Sequence, residues 1–517
     1  MATNRADAFA LAYIPEATYG TDPGIVSAAW VDGDSEDFSY IPQAGGTAYK
    51  AWARLASKIE NMPKRTLVEA TQIHPVSDSD AFRGKGPAAT EQEITIELFV
   101  TGGRNDTAAV SDSDRPVPAP WQQLITSASG RTIGHRSTDS GGGNGATNYS
   151  KVKSSPSPAA NQFDIESGAG TVGALAPGHV FGIDHGTGTS TPDIELVRPT
   201  YLATAVKFGD DTPTVAGSRY NSTSVGFKAN PSANDKVYFS SQTVFDRRLE
   251  ASGAFTDSEA QLSYTMLVYR GDSASACILK GARVTGFEIT EKFNEFAKCK
   301  ITVAFKSFHY YGDDPSAFGS EPVIPDEPAY YDAVWPCPVV STFNNLTMLK
   351  YTDSDNDGAY SSPTVTRDLA ISEFSLSWKA GWKQRHSLMA ANSVEDLRLV
   401  DKQELRIKFT LLYDDDFRTM LGLCRLNDGA NAYGSFPFMY WSGTRPQNIW
   451  FVSVPGAFVL EDPGTDGEQE GNQAHEIMLG MRAYQKDEVV GTADTYVAYS
   501  TTGAAQHRWC LGTLGGV

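Results

Sequence analysis

The stretch Glu404–Tyr413, which reads Glu404-Leu405-Arg406-Ile407-Lys408-Phe409-Thr410-Leu411-Leu412-Tyr413, places apolar side chains at every second position from Leu405 to Tyr413. Successive side chains of an extended strand point to opposite faces, so this pattern puts Leu405, Ile407 and Phe409 together on one face. Segment Glu93–Val100 alternates in the same way. Both segments therefore predict strands that are buried on one face and exposed to water on the other.

Period-two alternation recurs along the rest of the chain and predicts six further strands: Gln261–Tyr269, Arg283–Thr290, Lys300–Phe308, Ile371–Trp378, Asn448–Val454 and Glu476–Tyr484. Helical spacing, with apolar residues at i, i+3, i+4 and i+7, occurs in two short stretches, Trp121–Ala128 and Phe417–Cys424. We therefore predict an all-β fold with a minor α content.

The two short helical stretches occupy similar places in the order of elements. Each follows one of the two clearest strands, and a long, largely polar loop precedes each strand, Asn61–Thr90 in one case and Ala380–Asp401 in the other. An internal duplication explains this repetition. The alternative is coincidence, because amphipathic strands and helices are common in β-proteins.

Composition shifts suggest the domain boundaries. The proline-rich stretch 318–338 is typical of a linker, so we expect one domain in residues 1–320 and a second in 321–485. The Gly/Ser/Thr-rich region 130–234 is interpreted as long surface loops or a small added β-subdomain within the first domain. The tail 486–517 is predicted to be an arm that packs on a neighbour or stays loose.

The charge balance argues against a protein that grips nucleic acid. The 517-residue chain carries a formal net charge of −19, whereas tight binding depends on neutralising phosphates with Lys and Arg. An acidic chain can still surround DNA without holding it.

The five cysteines form no CxxC pair, which disfavours a zinc site or a disulfide scaffold. No signal peptide or apolar membrane span is evident, so we expect synthesis in a reducing cytoplasm.

Four motifs resemble chemical sites, and each favours a structural interpretation. Asp353–Gly358 begins like a calcium loop but has Thr364 where the bidentate Glu belongs. Asp414–Asp416 suits a helix N-terminus better than a cation site. Gly84-Lys85-Gly86 lacks the flanking residues of a phosphate-binding loop.

The fourth motif is the loose cluster of His179, Asp184 and His185. A metal site or proton-transfer pair is the functional alternative, and solvated or hydrogen-bonded loop histidines are the favoured one. No GxSxG, HExxH or Cys/His nucleophile pattern is present. The sequence thus predicts no catalytic, cofactor or metal site, and a protein that is not an enzyme.

Three segments carry a family resemblance. Leu11–Thr21 is similar to the start of many tail proteins of tailed bacteriophages, and Gly281–Ile289 and Phe451–Ala457 resemble characteristic strands of the same proteins. Together they resemble the major tail tube protein of long, non-contractile-tailed phages (siphophages). The large region 130–234 departs from that family and obscures where its first domain would end.

The resemblance implies a fold and an assembly. Members fold as a β-sandwich or half-barrel with one flanking helix, and six such domains form a ring around a β-lined channel. Two fused copies in one chain would make a homotrimer a pseudo-hexameric ring. The family's long loop stacks one ring on the next, a role that falls here to Asn61–Thr90 and Ala380–Asp401.

The resemblance also implies partners and a location. These are further copies of the chain, other tail proteins (tape measure, terminator and distal tail protein) and DNA that passes through the lumen without specific binding. The protein would be assembled in the host cytoplasm and reside in the virion tail, with no cofactor and no membrane. A negatively charged lumen would repel phosphates, and Glu93 and Glu97, opposite the apolar face of their strand, are candidate lumen-facing acids.

Two alternative functions remain. Another ring-forming tail component, such as a terminator or baseplate protein, would share the fold but stop at one ring. A glycan-binding β-sandwich protein would need an exposed aromatic platform, for which Trp378, Trp382 and Trp441 are the candidates.

Overall fold

The computed structural model is mostly β-strand (56%) with one α-helix in its described part, as the alternation predicts. It describes residues 9–30, 49–53, 55–64, 66–72, 82–88, 93–105, 116–128, 131–134, 150–152, 154, 162–164, 180–186, 193–197, 201–202, 214–216, 231–238, 240–245, 263–323, 344–352, 361–366, 371–379, 382–386, 394–399, 404–412, 436–461, 474–481 and 509–514. Over these ranges, no helix combines the length and apolar character needed to cross a membrane.

The chain begins with strands β1 (Phe9–Pro15), β2 (Ala29–Trp30), β3 (Tyr49–Ala53), β4 (Thr66–Gln72), β5 (Phe82–Ala88), β6 (Glu93–Phe99), β7 (Arg104–Asn105) and β8 (Pro116–Val117). Helix α1 (Pro120–Thr126) follows, as predicted, with proline in its first turn, where the missing amide costs no helical hydrogen bond. The second predicted helix, Phe417–Cys424, lies outside the described residues.

The Gly/Ser/Thr-rich region 130–234 contains strands in its described part. They are β9 (Arg131–Gly134), β10 (Ser150–Lys151), β11 (Gln162–Asp164), β12 (Phe181–Asp184), β13 (Ile194–Val197), β14 (Tyr201–Leu202) and β15 (Thr214–Ala216). Strands β16 (Lys236–Tyr238) and β17 (Ser240–Val244) follow directly after this region. Two small sheets form here, in the orders β10-β16-β12-β13 and β11-β15-β14, while β9 and β17 join the main sheet.

The remaining strands are β18 (Tyr264–Arg270), β19 (Asp272–Lys292), β20 (Lys298–Ala304), β21 (Ser307–Tyr310), β22 (Asn344–Thr352), β23 (Ser361–Thr366), β24 (Ile371–Lys379), β25 (Trp382–His386), β26 (Val394–Leu399), β27 (Glu404–Leu412), β28 (Phe436–Ser442), β29 (Trp450–Glu461), β30 (Ala474–Met481) and β31 (Cys510–Leu514). Short 3₁₀ turns occupy Pro315–Phe318 and Pro446–Asn448. Each of the eight strands predicted from alternation overlaps an observed strand: one overlaps β6, and the other seven overlap strands between β18 and β30.

The main sheet contains the same order of strand pairing twice. In the first set, β3 pairs with β1, β1 with β18, β18 with β19, β19 with β20, and β20 with β6. In the second set the corresponding order is β23, β22, β28, β29, β30 and β27. All of these pairings are antiparallel. We refer to the two sets below as repeat 1 and repeat 2.

The segment before Asn61 in repeat 1 has a counterpart in repeat 2. In repeat 2, β24 pairs with the outer edge of β27. In repeat 1, isolated bridges join Leu55 to Leu98 and Glu60 to Thr95, which places residues 55–60 on the corresponding edge of β6. This short segment is therefore the equivalent of β24, although it is too irregular to form a continuous strand.

Both long loops predicted upstream of the clearest strands contain a β-hairpin. Strands β4 and β5 pair with each other within Asn61–Thr90, and β25 and β26 pair with each other within Ala380–Asp401. Each hairpin forms its own two-stranded sheet rather than joining the main one. The two repeats thus share an inserted hairpin at the same position.

One hydrophobic core extends across both repeats. It includes Ile96 and Ile301 from repeat 1 and Ile407 and Val452 from repeat 2, all buried. The predicted boundary at 320/321 therefore does not separate two cores in the described part of the chain. The end of the predicted C-terminal arm also belongs to this core, because β31 pairs with β17 and β29 and buries Trp509.

Two of the segments that carry the family resemblance contact each other. The buried carboxylate of Glu16 accepts hydrogen bonds from the Gly20 amide (2.7 Å), the Gly281 amide (2.8 Å), and the hydroxyls of Ser263 and Thr265 (2.7 Å each). A buried carboxylate is stable only with such donors. Glu16 therefore fixes the turn after β1 onto β18 and β19.

Gly281 provides a stability test. Its φ is +67°, and an added Cβ would lie 2.7 Å from Cβ of Lys306 and 3.0 Å from Cε2 of Tyr19. We expect Gly281→Ala to lower the free energy of unfolding by about 2 kcal/mol or more, since the left-handed conformation costs about 1–2 kcal/mol and the contact adds to it. Urea denaturation measures the loss.

The matched control is Gly319→Ala. Gly319 also has a positive φ, of +73°, but an added Cβ there meets nothing within 4 Å. The control should show the conformational cost alone. Equal losses at the two positions would contradict the tight contact at Gly281.

Candidate functional site

The candidate site is the surface of the main sheet where repeat 1 meets repeat 2. The last seven residues of β19 pair antiparallel with β24, from Gly286 opposite Lys379 to Lys292 opposite Glu373. The other edge of the same part of β19 pairs with β20. Strands β6, β20, β19, β24, β27 and β30 therefore follow one another in a sheet that is continuous across the two repeats.

A buried carboxylate lies at this junction. Glu291, near the end of β19, is 2% exposed. Its carboxylate accepts hydrogen bonds from the Tyr440 hydroxyl (2.9 Å), the Trp450 indole N–H (3.2 Å) and the Ser442 hydroxyl, all from repeat 2. The end of a repeat 1 strand is thus fixed in the interior of repeat 2.

Aromatic rings fill the space beneath the junction. Phe245 stacks on Trp509 with a centroid distance of 4.0 Å, and Phe287 of β19 lies 5.4 Å from Trp378 of β24. Near Glu291, Phe374 of β24 is one of the core rings. Aromatic pairs at such distances add roughly 0.5–1.5 kcal/mol each beyond simple area burial. The apolar side of the sheet is therefore closed by tight packing between the repeats.

The opposite side of the same strands is polar. On β6, Glu93 is exposed and Glu97 is half-buried, while Ile94 and Ile96 face the core. Both candidate lumen-facing acids therefore lie on this polar face. The Thr285 hydroxyl donates to Glu93 (3.1 Å), and the Lys298 ammonium lies 4.0 Å from Glu97.

Carboxylates and cations are interleaved on the polar face. Lys300 is the cross-strand neighbour of both Glu97 and Glu288, and Lys292 forms an ion pair with Glu373 at 3.0 Å across the junction. The charged residues of the described face are Glu93, Glu97, Glu288, Glu373, Glu404, Lys292, Lys298, Lys300, Lys379, Arg406 and Lys408. Neither sign dominates, so the described face that carries Glu93 and Glu97 does not have the excess of negative charge that was expected of a lumen.

The rejected phosphate-loop motif is part of a strand. Gly84, Lys85 and Gly86 lie in β5 and pair with β4, whereas a phosphate-binding loop needs several amides turned toward one anion. The acidic motifs Asp353–Gly358 and Asp414–Asp416 lie outside the described residues. Among the residues that are described, no group of three His, Cys, Asp or Glu is arranged to hold a metal ion.

His185 has different partners from those the sequence suggested. Its Nε2 lies 2.9 Å from Glu195 of β13 and its Nδ1 lies 3.4 Å from Asp235, and all three side chains are buried. Asp184 instead accepts hydrogen bonds from the amides of Gly186 and Asp193. His179 is outside the described residues. The ring is enclosed and paired rather than solvated, so it contributes to the packing of the inserted sheet.

Two of the three tryptophans considered for a glycan platform belong to the interior. Trp378 is 1% exposed and Trp441 is 3% exposed. The side chain of Trp382, in β25, is not among those described. An exposed stacking surface therefore does not include Trp378 or Trp441, which removes the main sequence argument for glycan binding.

No protein-family model matches the chain, and no curated protein matches it.

Glu291 and Glu288 form a matched pair for testing the junction. Both are on β19, but Glu291 is buried with three donors and Glu288 is exposed. We expect Glu291→Gln to lower the free energy of unfolding by about 1–3 kcal/mol, because an amide replaces one acceptor oxygen with a donor and leaves buried donors unsatisfied. Glu288→Gln should change it by less than about 0.5 kcal/mol. Urea denaturation of both variants measures the two changes in the free energy of unfolding. Similar losses of stability in the two variants would refute the role assigned to Glu291.

His185 predicts a pH-dependent stability. Burial lowers the pKa of the His185 ring, but the hydrogen bonds and charges of Glu195 and Asp235 outweigh it, so the pKa is raised. A raised folded-state pKa stabilises the protein fully below the unfolded value of about 6.5, and this stabilisation is lost as the pH rises through the folded-state pKa.

We therefore expect His185→Gln to destabilise the protein more at about pH 5.5 than at about pH 8.5, as measured by urea denaturation. His309→Gln is the control, because the pair of His309 with Asp314 is partly exposed, 31% and 36% for the two side chains. A His185→Gln loss that is the same at both pH values would contradict the assignment.

Proposed function

We propose that this protein is a structural subunit of a phage tail: a tail tube protein whose rings stack into the hollow conduit for DNA ejection. Each chain would contribute two tail-tube-type domains, one for each repeat, so that a homotrimer makes a pseudo-hexameric ring. The observation that carries the proposal is the pairing of β19 with β24, which places two equivalent repeats side by side in one continuous sheet.

The two faces of that sheet support the proposal. One face is apolar and packed, and the other is polar with interleaved charges. A channel wall needs this arrangement, because its inner surface contacts water and DNA while its outer side must be held by a core. Interleaved charges give each passing phosphate both attraction and repulsion, so DNA would slide without being held.

The two inserted hairpins support stacking. The hairpin β25–β26 connects the end of β24 to the start of β27, and Lys379 and Glu404 are paired neighbours there. The hairpin β4–β5 precedes the start of β6. Near that start, Thr95 is paired with Thr302 of β20, which is paired with Gly286 of β19, which is paired with Lys379 of β24. The start of β6 therefore lies at the same end of the sheet as Lys379. Both hairpins therefore leave the sheet at the same end, as contacts to one neighbouring ring would require.

Negative-stain electron microscopy of the purified protein tests this function. We expect hollow tubes with three chains per ring, or at least rings that stack at high protein concentration. Single rings that never stack would instead favour a terminator or baseplate component, and a protein that remains monomeric would overturn the proposal.

A reconstruction of such tubes would also test the lumen assignment. We expect Glu93 and Glu97 to face the channel together with Lys300, because all three lie on the polar face of the continuous sheet. Density that puts this face on the outer wall would contradict the assignment while leaving the tube itself intact.

A further inference from the structure

The continuous sheet ends in two different edges. Within the described residues its order is segment 55–60, β6, β20, β19, β24, β27, β30 and β29. Segment 55–60, at one end, is the repeat 1 equivalent of β24. Strand β29, at the other end, is the repeat 2 equivalent of β19. The first part of β29 continues the sheet into β28, so only its last residues lie at an edge. Segment 55–60 and the end of β29 are thus equivalent to the two elements that pair at the centre.

The edge of β29 that pairs with β28 is arranged like the edge of β19 that pairs with β18 and β24. Strand β18 covers β19 only as far as Ala282, and β24 takes over the same edge from Gly286. Strand β28 likewise covers β29 only as far as Ala457, while Phe458–Glu461 pair with β30 on the opposite edge. No strand in the described part of the chain occupies the place beside Phe458–Glu461 that β24 occupies beside β19.

The edge of segment 55–60 that lies opposite β6 corresponds to the edge of β24 that pairs with β19. The amides of Ala56 and Glu60 donate to carbonyls of β6. Ser57 and Lys58 are exposed, and none of the described hydrogen bonds uses their amides. In the described part of the chain, the amides of Ser57 and Lys58 therefore have no acceptor and are left for a partner strand.

We propose that residues 458–461 of one chain pair with segment 55–60 of a second copy of this chain, in the same antiparallel manner as β19 pairs with β24. The occupant of each edge is another copy because the chain already contains this interface once, between its own repeats. The contact is heterologous, so each chain offers one edge of each kind and the assembly grows head to tail until it closes.

Pairing would also remove an aggregation hazard. An exposed strand edge is a template for uncontrolled association, and a closed ring leaves no such edge. The inference rests on the proposed function for its biological meaning and deepens it by naming the surfaces that join neighbouring subunits. Its physical basis, the equivalence of the two edges, does not depend on that function.

Hydrogen–deuterium exchange on the full-length wild-type protein tests the pairing directly. Amides in 57–59 and 458–461 should exchange at least about tenfold more slowly in the assembled protein than in the dissociated chain. Amides of β24 opposite β19 should be protected in both states and serve as the internal reference. Unchanged exchange at both edges on assembly would overturn the pairing.

A variant pair provides the second measurement. Lys58→Pro removes an amide from the edge and places a ring where a partner strand would approach, while Lys58→Ala removes only an exposed side chain. We expect Lys58→Pro to remain folded, with the wild-type circular dichroism spectrum, but to sediment as a single chain at concentrations where Lys58→Ala assembles.

The outcomes separate this inference from the proposed function. Tubes formed by Lys58→Pro as readily as by Lys58→Ala would overturn the edge pairing and leave the tube function standing. Closed rings with protected edges that never stack would support the pairing and contradict the tube function. If Lys58→Pro fails to fold, the exchange measurement on the wild-type protein decides alone.

Discussion

Burial of the Glu291 carboxylate constrains how the two repeats can be joined. A carboxylate removed from water needs hydrogen-bond donors, and three of these come from side chains of β28 and β29. The end of β19 must therefore lie against repeat 2. One edge of this part of β19 pairs with β20, and the other edge then lies beside β24. The ladder from Gly286 to Lys292, the shared aromatic core and the continuous polar face all depend on that placement.

Much of the fold follows from alternation alone, and the limits of alternation have physical causes. The eight predicted strands are present because burial of one face is encoded every second residue. The predicted strand Arg283–Thr290 is shorter than β19, which continues through the charged residues Glu291 and Lys292. Yet Phe287, Ile289 and Glu291 share one parity and one face, so the sequence did place a carboxylate on the buried side. What alternation cannot show is the donors, which come from residues about 150 positions later.

The remaining differences concern segments whose structure depends on distant or local pairing. The stretches Asn61–Thr90 and Ala380–Asp401 contain hairpins whose strands pair with each other, whereas their largely polar composition predicts loops. Residues 509–514 form a central strand through partners in β17 and β29, which composition does not reveal. His185 was noticed, but its partners Glu195 and Asp235 are brought to it by the inserted sheet.

Carrying both repeats on one chain has consequences for assembly. The β19–β24 junction forms within a molecule, so its stability is independent of protein concentration, whereas an equivalent junction between chains depends on association. In a ring built from such chains, every second junction would already be in place before assembly begins. The entropic cost of bringing subunits together would then apply to half as many contacts. Carrying both repeats on one chain thus favours closed rings over incomplete rings. The β19–β24 junction within each chain would then have the geometry that the junctions between chains adopt.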